Sequence, residues 1–193
     1  MHSKDRSITE KLKGMLDAPR FEHSLRVQQL SITLAKHYKA DQEKASIAGL
    51  LHDCARYLSP NEFIIKAEEL GLHIEPIMRF EPKLLHAPLS GCFAKTDFGI
   101  DDADVIAAIE KHTIGSPEMT VLEKIIYIAD HVEPERNYPG VDKARDLMNE
   151  NIDETVSIIA SCMIKYLLEK EKPVHPLALE TRNYHLRKAK KLW

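Results

Sequence analysis

Apolar positions recur every three or four residues along almost the whole chain, and no stretch alternates as a half-buried strand would. Ile8, Leu12, Met15 and Leu16 predict a short first helix. Phe21 to His37 predicts a second, with Val27, Leu30 and Leu34 on one face. Ile47, Leu51, Cys54 and Leu58 predict a third from about Glu43 to Tyr57. Ser59-Pro60-Asn61-Glu62 has the form of a capping box with proline at the first helical position, opening a helix that Gly71 closes. HIEPIMRFEP (73–82) is a proline-punctuated connection, followed by a short helix near Ala87 to Lys95. Asp101 caps a helix reaching His112, where TIGSP (113–117) stops it. Thr120 and Glu123 form a second capping box ahead of IIYIAD (125–130), with an end before Pro134. Asp153 to Glu169 carries Val156, Ile159, Met163 and Leu167 on one face, and ALETRNYHLRKAK (178–190) predicts a helical tail. With no repeat, low-complexity segment or linker, residues 1–193 read as one all-α domain.

Several polar residues interrupt these apolar faces. His23 shares a face with Val27, Leu30 and Leu34, so it points inward from the end of that stripe. His52 and Asp53 stand side by side in GLLHDCARYL (49–58). Asp130 shares a ridge with Leu122 and Ile126, His112 with Val105 and Ile109, and His86 is flanked by leucines. A lone inward histidine is usually a satisfied core residue, and an inward aspartate can pair with an arginine. Here several helices each offer such a side chain, and one offers two. Left unpaired in one core they would cost roughly 1–3 kcal/mol each. One divalent cation satisfies several together, and histidine nitrogen with carboxylate oxygen suits Fe, Mn, Co, Ni or Zn better than Ca.

Composition narrows the partners. The 193 residues are 44% hydrophobic and 30% charged with a formal charge of -3, which argues against a general nucleic-acid binder. No apolar run approaches a membrane span, and MHSKDRSITE at the N-terminus has no apolar core of a signal peptide. Three cysteines, Cys54, Cys92 and Cys162, fit reduced thiols in a cytoplasmic protein.

His23, His52-Asp53 and Asp130 in this order form an H…HD…D pattern, and the chain resembles the HD-domain metal-dependent phosphohydrolases. The stretches PRFEHSLRV (19–27), GLLHDCARYL (49–58), LLHAPLSG (84–91), AIEKHTIGSPEM (108–119) and LEKIIYIADHVEPERNYPGVDKAR (122–145) are similar to the symmetrical bis(5'-nucleosyl)-tetraphosphatases of that superfamily. The similarity runs from about residue 10 to 187. It implies a single-domain helical bundle of the HD-domain type that splits dinucleoside tetraphosphates such as diadenosine tetraphosphate into two nucleoside diphosphates, with iron or a similar divalent metal. His23, His52, Asp53 and Asp130 would be the ligands. His86 and His112 match two later histidines of the family, which either donate to substrate phosphate or hold a second metal.

A tetraphosphate also calls for cationic clamps, and arginine's planar fork fits phosphate. Arg20, Arg56 and Arg136 each lie near a ligand in sequence. Asp53 is a candidate acceptor of the attacking water's proton, and His86 or His112 a candidate donor to the leaving diphosphate. The backbone of the loop from Thr113 through Gly115 to Ser116 offers N–H groups to phosphate. By resemblance, Thr181, Arg182, Asn183, Tyr184, His185 and Leu186 line a nucleotide pocket, where Tyr184 can stack on a base and Asn183 can bond to one; the KAKKLW end reads as solvated. Other readings are a different HD-type nucleotide phosphohydrolase, a non-catalytic nucleotide-binding sensor module, and a helical scaffold with a structural metal. Assembly is open, a homodimer being one arrangement.

Overall fold

The structure is a computed structural model that describes residues 3–191, with side chains from Ser7; Met1, His2, Leu192 and Trp193, the ends of the two tails read above, lie outside the described residues. Eleven α-helices and one 3-10 turn account for its regular structure, and no strand occurs among the described residues. They are α1 (Ser3–Met15), α2 (Ala18–His37), α3 (Gln42–Leu51), α4 (Pro60–Glu69), α5 (Pro76–Phe80), the 3-10 turn Pro82–Leu85, α6 (His86–Thr96), α7 (Ala103–Lys111), α8 (Val121–Val132), α9 (Val141–Leu147), α10 (Ile152–Glu169) and α11 (Pro176–Ala189). No described helix is long and apolar enough to cross a membrane.

The axis of the bundle is α8. Its residues from Leu122 to Val132 are all buried, and it packs on α2, α3, α7, α9 and α10. A helix buried on every side lies at the centre of a domain, and its polar residues Glu123, Lys124, Asp130 and His131 must find partners there. Ile125, Ile126 and Ile128 meet a core built with Val27, Leu34, Leu51, Leu89, Ile109 and Ile159. Both expected capping boxes form: Ser59 with Glu62 opens α4, and Thr120 with Glu123 opens α8. The N-cap of α7 is Asp102 rather than Asp101, because the Asp102 carboxylate accepts from the amides of Asp104 and Val105.

Three expectations change. The helix predicted to run to Tyr57 ends at Leu51, and residues 52–57 continue as tight turns. Their amides reach back three residues, Cys54 to Leu51 and Arg56 to Asp53, at 3.1 and 2.9 Å. The Ala55 amide is taken instead by the Ser90 hydroxyl at 3.1 Å, so the i−4 ladder is interrupted by a tertiary contact. The proline-punctuated 73–82 segment contains α5 and the start of the 3-10 turn. Finally, α9 was not anticipated, since seven residues are too few to show a period.

One close approach sets the site. Gly49 of α3 faces α2 so closely that a Cβ there would stand 2.8 Å from Ser31 Oγ and 3.0 Å from Gln28 Cα. Only a residue without a side chain lets the two helices come together just ahead of His52. Gly49→Ala should therefore cost about 1–3 kcal/mol of stability by overpacking, read as a lower urea midpoint. It should also lower activity beyond the loss of folded protein, because it drives His52 away from His23.

Candidate metal centre

His23 projects from α2, His52 and Asp53 from the turn after α3, and Asp130 from the last turn of α8. His86 is the first residue of α6 and His112 the C-cap of α7. All six are buried. The structure brings them together as two adjoining triangles. In the first, His23 Nε2 lies 3.0 Å from Asp130 Oδ1 and 3.2 Å from His52 Nε2, and His52 Nε2 lies 3.6 Å from Asp130 Oδ1. In the second, His86 Nε2 lies 3.0 Å from His112 Nε2, with Asp53 Oδ1 at 3.3 and 3.7 Å from them. His52 and Asp53, adjacent in sequence, join the two.

The other ring nitrogens explain the arrangement. His52 Nδ1 donates to Gly49 O at 2.8 Å, His86 Nδ1 to Lys83 O at 2.5 Å and His112 Nδ1 to Ile109 O at 2.6 Å. His23 Nδ1 donates to the Glu133 carboxylate at 3.1 Å. A neutral imidazole with its proton on Nδ1 presents a lone pair at Nε2. Four such lone pairs thus converge on two carboxylates, an assembly of acceptors that calls for a positive centre among them. Atoms bound at ~2.1 Å to one ion stand ~3.0 Å apart in an octahedral set and ~3.4 Å in a tetrahedral one. Separations of 3.0, 3.2 and 3.6 Å in the first triangle fit a divalent cation. The sequence grouped Asp53 with the first triangle; its nearest imidazole nitrogen is that of His86, which places it between the two.

Arginines surround the carboxylates. Arg20 Nη1 donates to Asp53 Oδ2 at 2.7 Å, Arg56 Nε stands 3.9 Å from the same oxygen, and Arg136 bonds both the carboxylate and, at 2.7 Å, the carbonyl of Asp130. Burial by itself would raise the Asp53 and Asp130 carboxyls. The Arg136 guanidinium beside Asp130 holds that carboxyl well below the usual carboxylate range. For His86 burial dominates and pushes the imidazole down to about 3, so it is neutral at neutral pH.

Three partners escaped the sequence reading. Glu133 orients His23 and is itself held by Arg26 Nε at 2.6 Å; an acidic residue just past a helix end gave no signal. His131, buried beside Asp130, has its Nδ1 on Tyr127 O at 2.8 Å. Beyond it lies a largely apolar cavity of ≈ 220 Å³ walled by Thr113, Ile114, Tyr127, His131, Met163 and His175, among others. Thr113 joins cavity and centre, its Oγ1 lying 3.0 Å from both His86 Nε2 and His112 Nε2. A histidine between two prolines, PVHP (173–176), was the one visible hint of this wall.

One expectation is corrected, and the 181–186 stretch lies apart from this cavity. The Gly115 amide is not free for phosphate, since it donates to Lys111 O at 2.9 Å; Gly115 (φ +74°) instead lets Thr181 of α11 pack against the turn. The stretch Thr181–Leu186 does not wall the cavity. Thr181 Oγ1 donates to Leu177 O and His185 bridges Asp153 and Ser116 O, both fully buried. Arg182 Nε donates to Ser161 Oγ, and Arg182, Asn183, Tyr184 and Leu186 line a separate groove with Pro117 and Glu118. Successive helical residues diverge by about 100°, so six in a row cannot share one pocket.

The HD domain family matches residues 20–135 of the chain. Symmetrical bis(5'-nucleosyl)-tetraphosphatases of Halalkalibacterium halodurans and Bacillus subtilis are 38% and 36% identical to it, over 89% and 90% of this chain and 91% and 92% of their own length. The crystal structure of a predicted HD superfamily hydrolase involved in NAD metabolism from Clostridium acetobutylicum superposes with a TM-score of 0.91 at 39% identity, covering 97% of this chain and 99% of that one. The chain belongs to the HD-domain family and, within it, to the symmetrical bis(5'-nucleosyl)-tetraphosphatases.

The neutral state of His86 has a measurable consequence. Its folded value lies below the unfolded 6.5, so its contribution to stability is whole above about pH 6.5 and is lost as pH falls towards about 3. Buried His131, also shifted down, acts in the same direction. Urea midpoints of chelator-treated protein should fall as pH drops below 6.5, and His86→Gln should make that decline shallower.

Proposed function

We propose that residues 1–193 act as one catalytic domain that hydrolyses dinucleoside tetraphosphates, diadenosine tetraphosphate above all, symmetrically to two nucleoside diphosphates. The observation that carries this reading is the convergence of His23 Nε2, His52 Nε2 and Asp130 Oδ1 beside a second cluster and a ring of arginines. The relatives' names supply the substrate. Iron is the metal we assign, on the family resemblance and a mixed nitrogen and oxygen donor set. The three free cysteines suit work in the cytoplasm.

His23, His52 and Asp130 would hold the cation, with Asp53 turned between it and the second triangle. When bound, such an ion lowers the pKa of a water and draws charge from a phosphoryl oxygen. The protein supplies position and charge. Asp53, ionised and held by Arg20, orients the attacking water through Oδ1 and accepts its proton. Arg20, Arg56 and Arg136 take the non-bridging oxygens of the phosphate chain, where a guanidinium fork binds two at once. His86, kept neutral by burial, is an acceptor at Nε2. With the Nε2 atoms of His86 and His112 both offering lone pairs, the hydroxyl of Thr113, 3.0 Å from each, is the donor placed to meet the departing diphosphate.

The cavity behind Thr113 and His131 accounts for symmetry of cleavage. One nucleoside seated there sends its own two phosphates to the centre, so the bond at the reaction point lies after the second phosphate. That geometry counts phosphates from the seated end, whatever the length of the remainder.

Asp53→Ala should reduce kcat by at least ~10²-fold while leaving far-UV circular dichroism unchanged; chelation should silence the wild type, with Fe²⁺, Mn²⁺ or Co²⁺ restoring turnover. Undiminished hydrolysis by the variant would remove the mechanism. Chromatography should show ADP alone from diadenosine tetraphosphate, and ADP with ATP from the pentaphosphate. AMP among either set of products contradicts the counting geometry.

A further inference from the structure

Arg145 bonds no side chain assigned to the centre, yet it is tied to the main chain that carries two of them. From α9 its guanidinium reaches the segment following α8. Nε donates to Val132 O at 3.0 Å, and Nη2 to Glu133 O at 2.9 Å, Pro134 O at 3.3 Å and Arg136 O at 2.6 Å. Nη1 is braced by Asp142 Oδ1 at 3.0 Å. The last carbonyls of a helix have no partners within it, and a cation is favoured at that end of the dipole. Here two guanidiniums divide the work: Arg136 takes Asp130 O and Arg145 takes Val132 O.

The segment so gathered contains both Glu133, which orients His23, and Arg136, which bonds the Asp130 carboxylate. Pro134 lacks an N–H, so the segment has one fewer amide with which to fix itself. Its carbonyls, spread over five residues, point at one side chain. Lysine would bring the same charge but a single point of donation; a planar fork can serve several carbonyls at once.

We propose that Arg145 is a positioning residue for the phosphate clamp: by holding the carbonyls of Val132, Glu133, Pro134 and Arg136 it aims Arg136 at the polyphosphate. The proposal rests on the tetraphosphatase reading for its substrate, though not for its geometry. A guanidinium displaced by about an ångström loses the oxygen it was meant to meet, and misplacements of that size cost up to ~10²-fold in rate terms.

The test is a double-mutant cycle on the metal-loaded enzyme. Arg145→Lys should raise KM for diadenosine tetraphosphate roughly 10-fold with kcat within about 3-fold of wild type. In an Arg136→Ala background the same substitution should change KM by less than about 2-fold, because the residue it positions is gone. An unchanged KM in the single variant, or an equal factor in both backgrounds, overturns the proposal. Without substrate, the Arg136 Nε–H, protected by Asp130 O, should exchange with solvent faster in Arg145→Lys by NMR; unaltered exchange overturns it equally. That measurement stands even if wild-type protein leaves the tetraphosphate intact, a result that would fall on the tetraphosphatase reading alone. Should Arg145→Lys fail to fold, Asp142→Ala at its exposed position loosens the same guanidinium, and a KM and exchange rate equal to wild type would then count against Arg145.

Discussion

An imidazole that gives its Nδ1 proton away has only a lone pair left to offer at Nε2. His52, His86 and His112 each give that proton to the carbonyl three residues earlier, and His23 gives its own to Glu133. The backbone thus decides the tautomer, and four lone pairs face inward with two carboxylates among them. Every other feature of the site answers this concentration of acceptors. Arg20, Arg56 and Arg136 stand at its edge, Arg26 backs Glu133, and its middle suits a divalent cation. The same arginines leave a surplus of positive charge at the mouth, which suits a chain of phosphates.

The bundle delivers these groups from the ends of rigid elements. His86 starts α6, His112 caps α7, Asp130 lies in the last turn of α8, and His52 with Asp53 follows the last residue of α3. Helix ends are where main-chain carbonyls lack helical partners, so an imidazole there finds its acceptor without breaking a ladder. The approach of α3 to α2 at Gly49 brings the first triangle together, while α8, buried along its length, joins the first triangle to the cavity through Asp130 and His131. The cluster of ligand-type side chains and the cavity therefore share one helix, and a displacement of α8 would disturb both.

Around this frame the chain spends many polar contacts on holding short connections still. Arg145 gathers the segment after α8, Thr181 and His185 hold the turn after α7 from behind, and Ser90 breaks the ladder after α3. None of these side chains lies among the proposed donors. Their common effect is to make turns as rigid as the helices they join, which a site built on distances near 3 Å requires.

The amino-acid order by itself determined the longer helices though not all their ends, both capping boxes, the inward position of His23 and Asp130, and the HD pair with its metal-type donors. Each of these depends on local periodicity or on residue types whose burial demands compensation. The order did not determine that Asp53 stands between two triangles, that His86 is neutral, that Glu133 serves His23 from 110 positions away, or that Thr181 and His185 pack behind a turn while their neighbours line a separate groove. Those outcomes depend on which helix faces come to lie against one another, and helical spacing tells which residues share a face without telling what that face will meet. Only the tertiary packing, with Gly49 and Gly115 allowing backbones to close, turned a set of inward polar residues into a centre with a wall beside it.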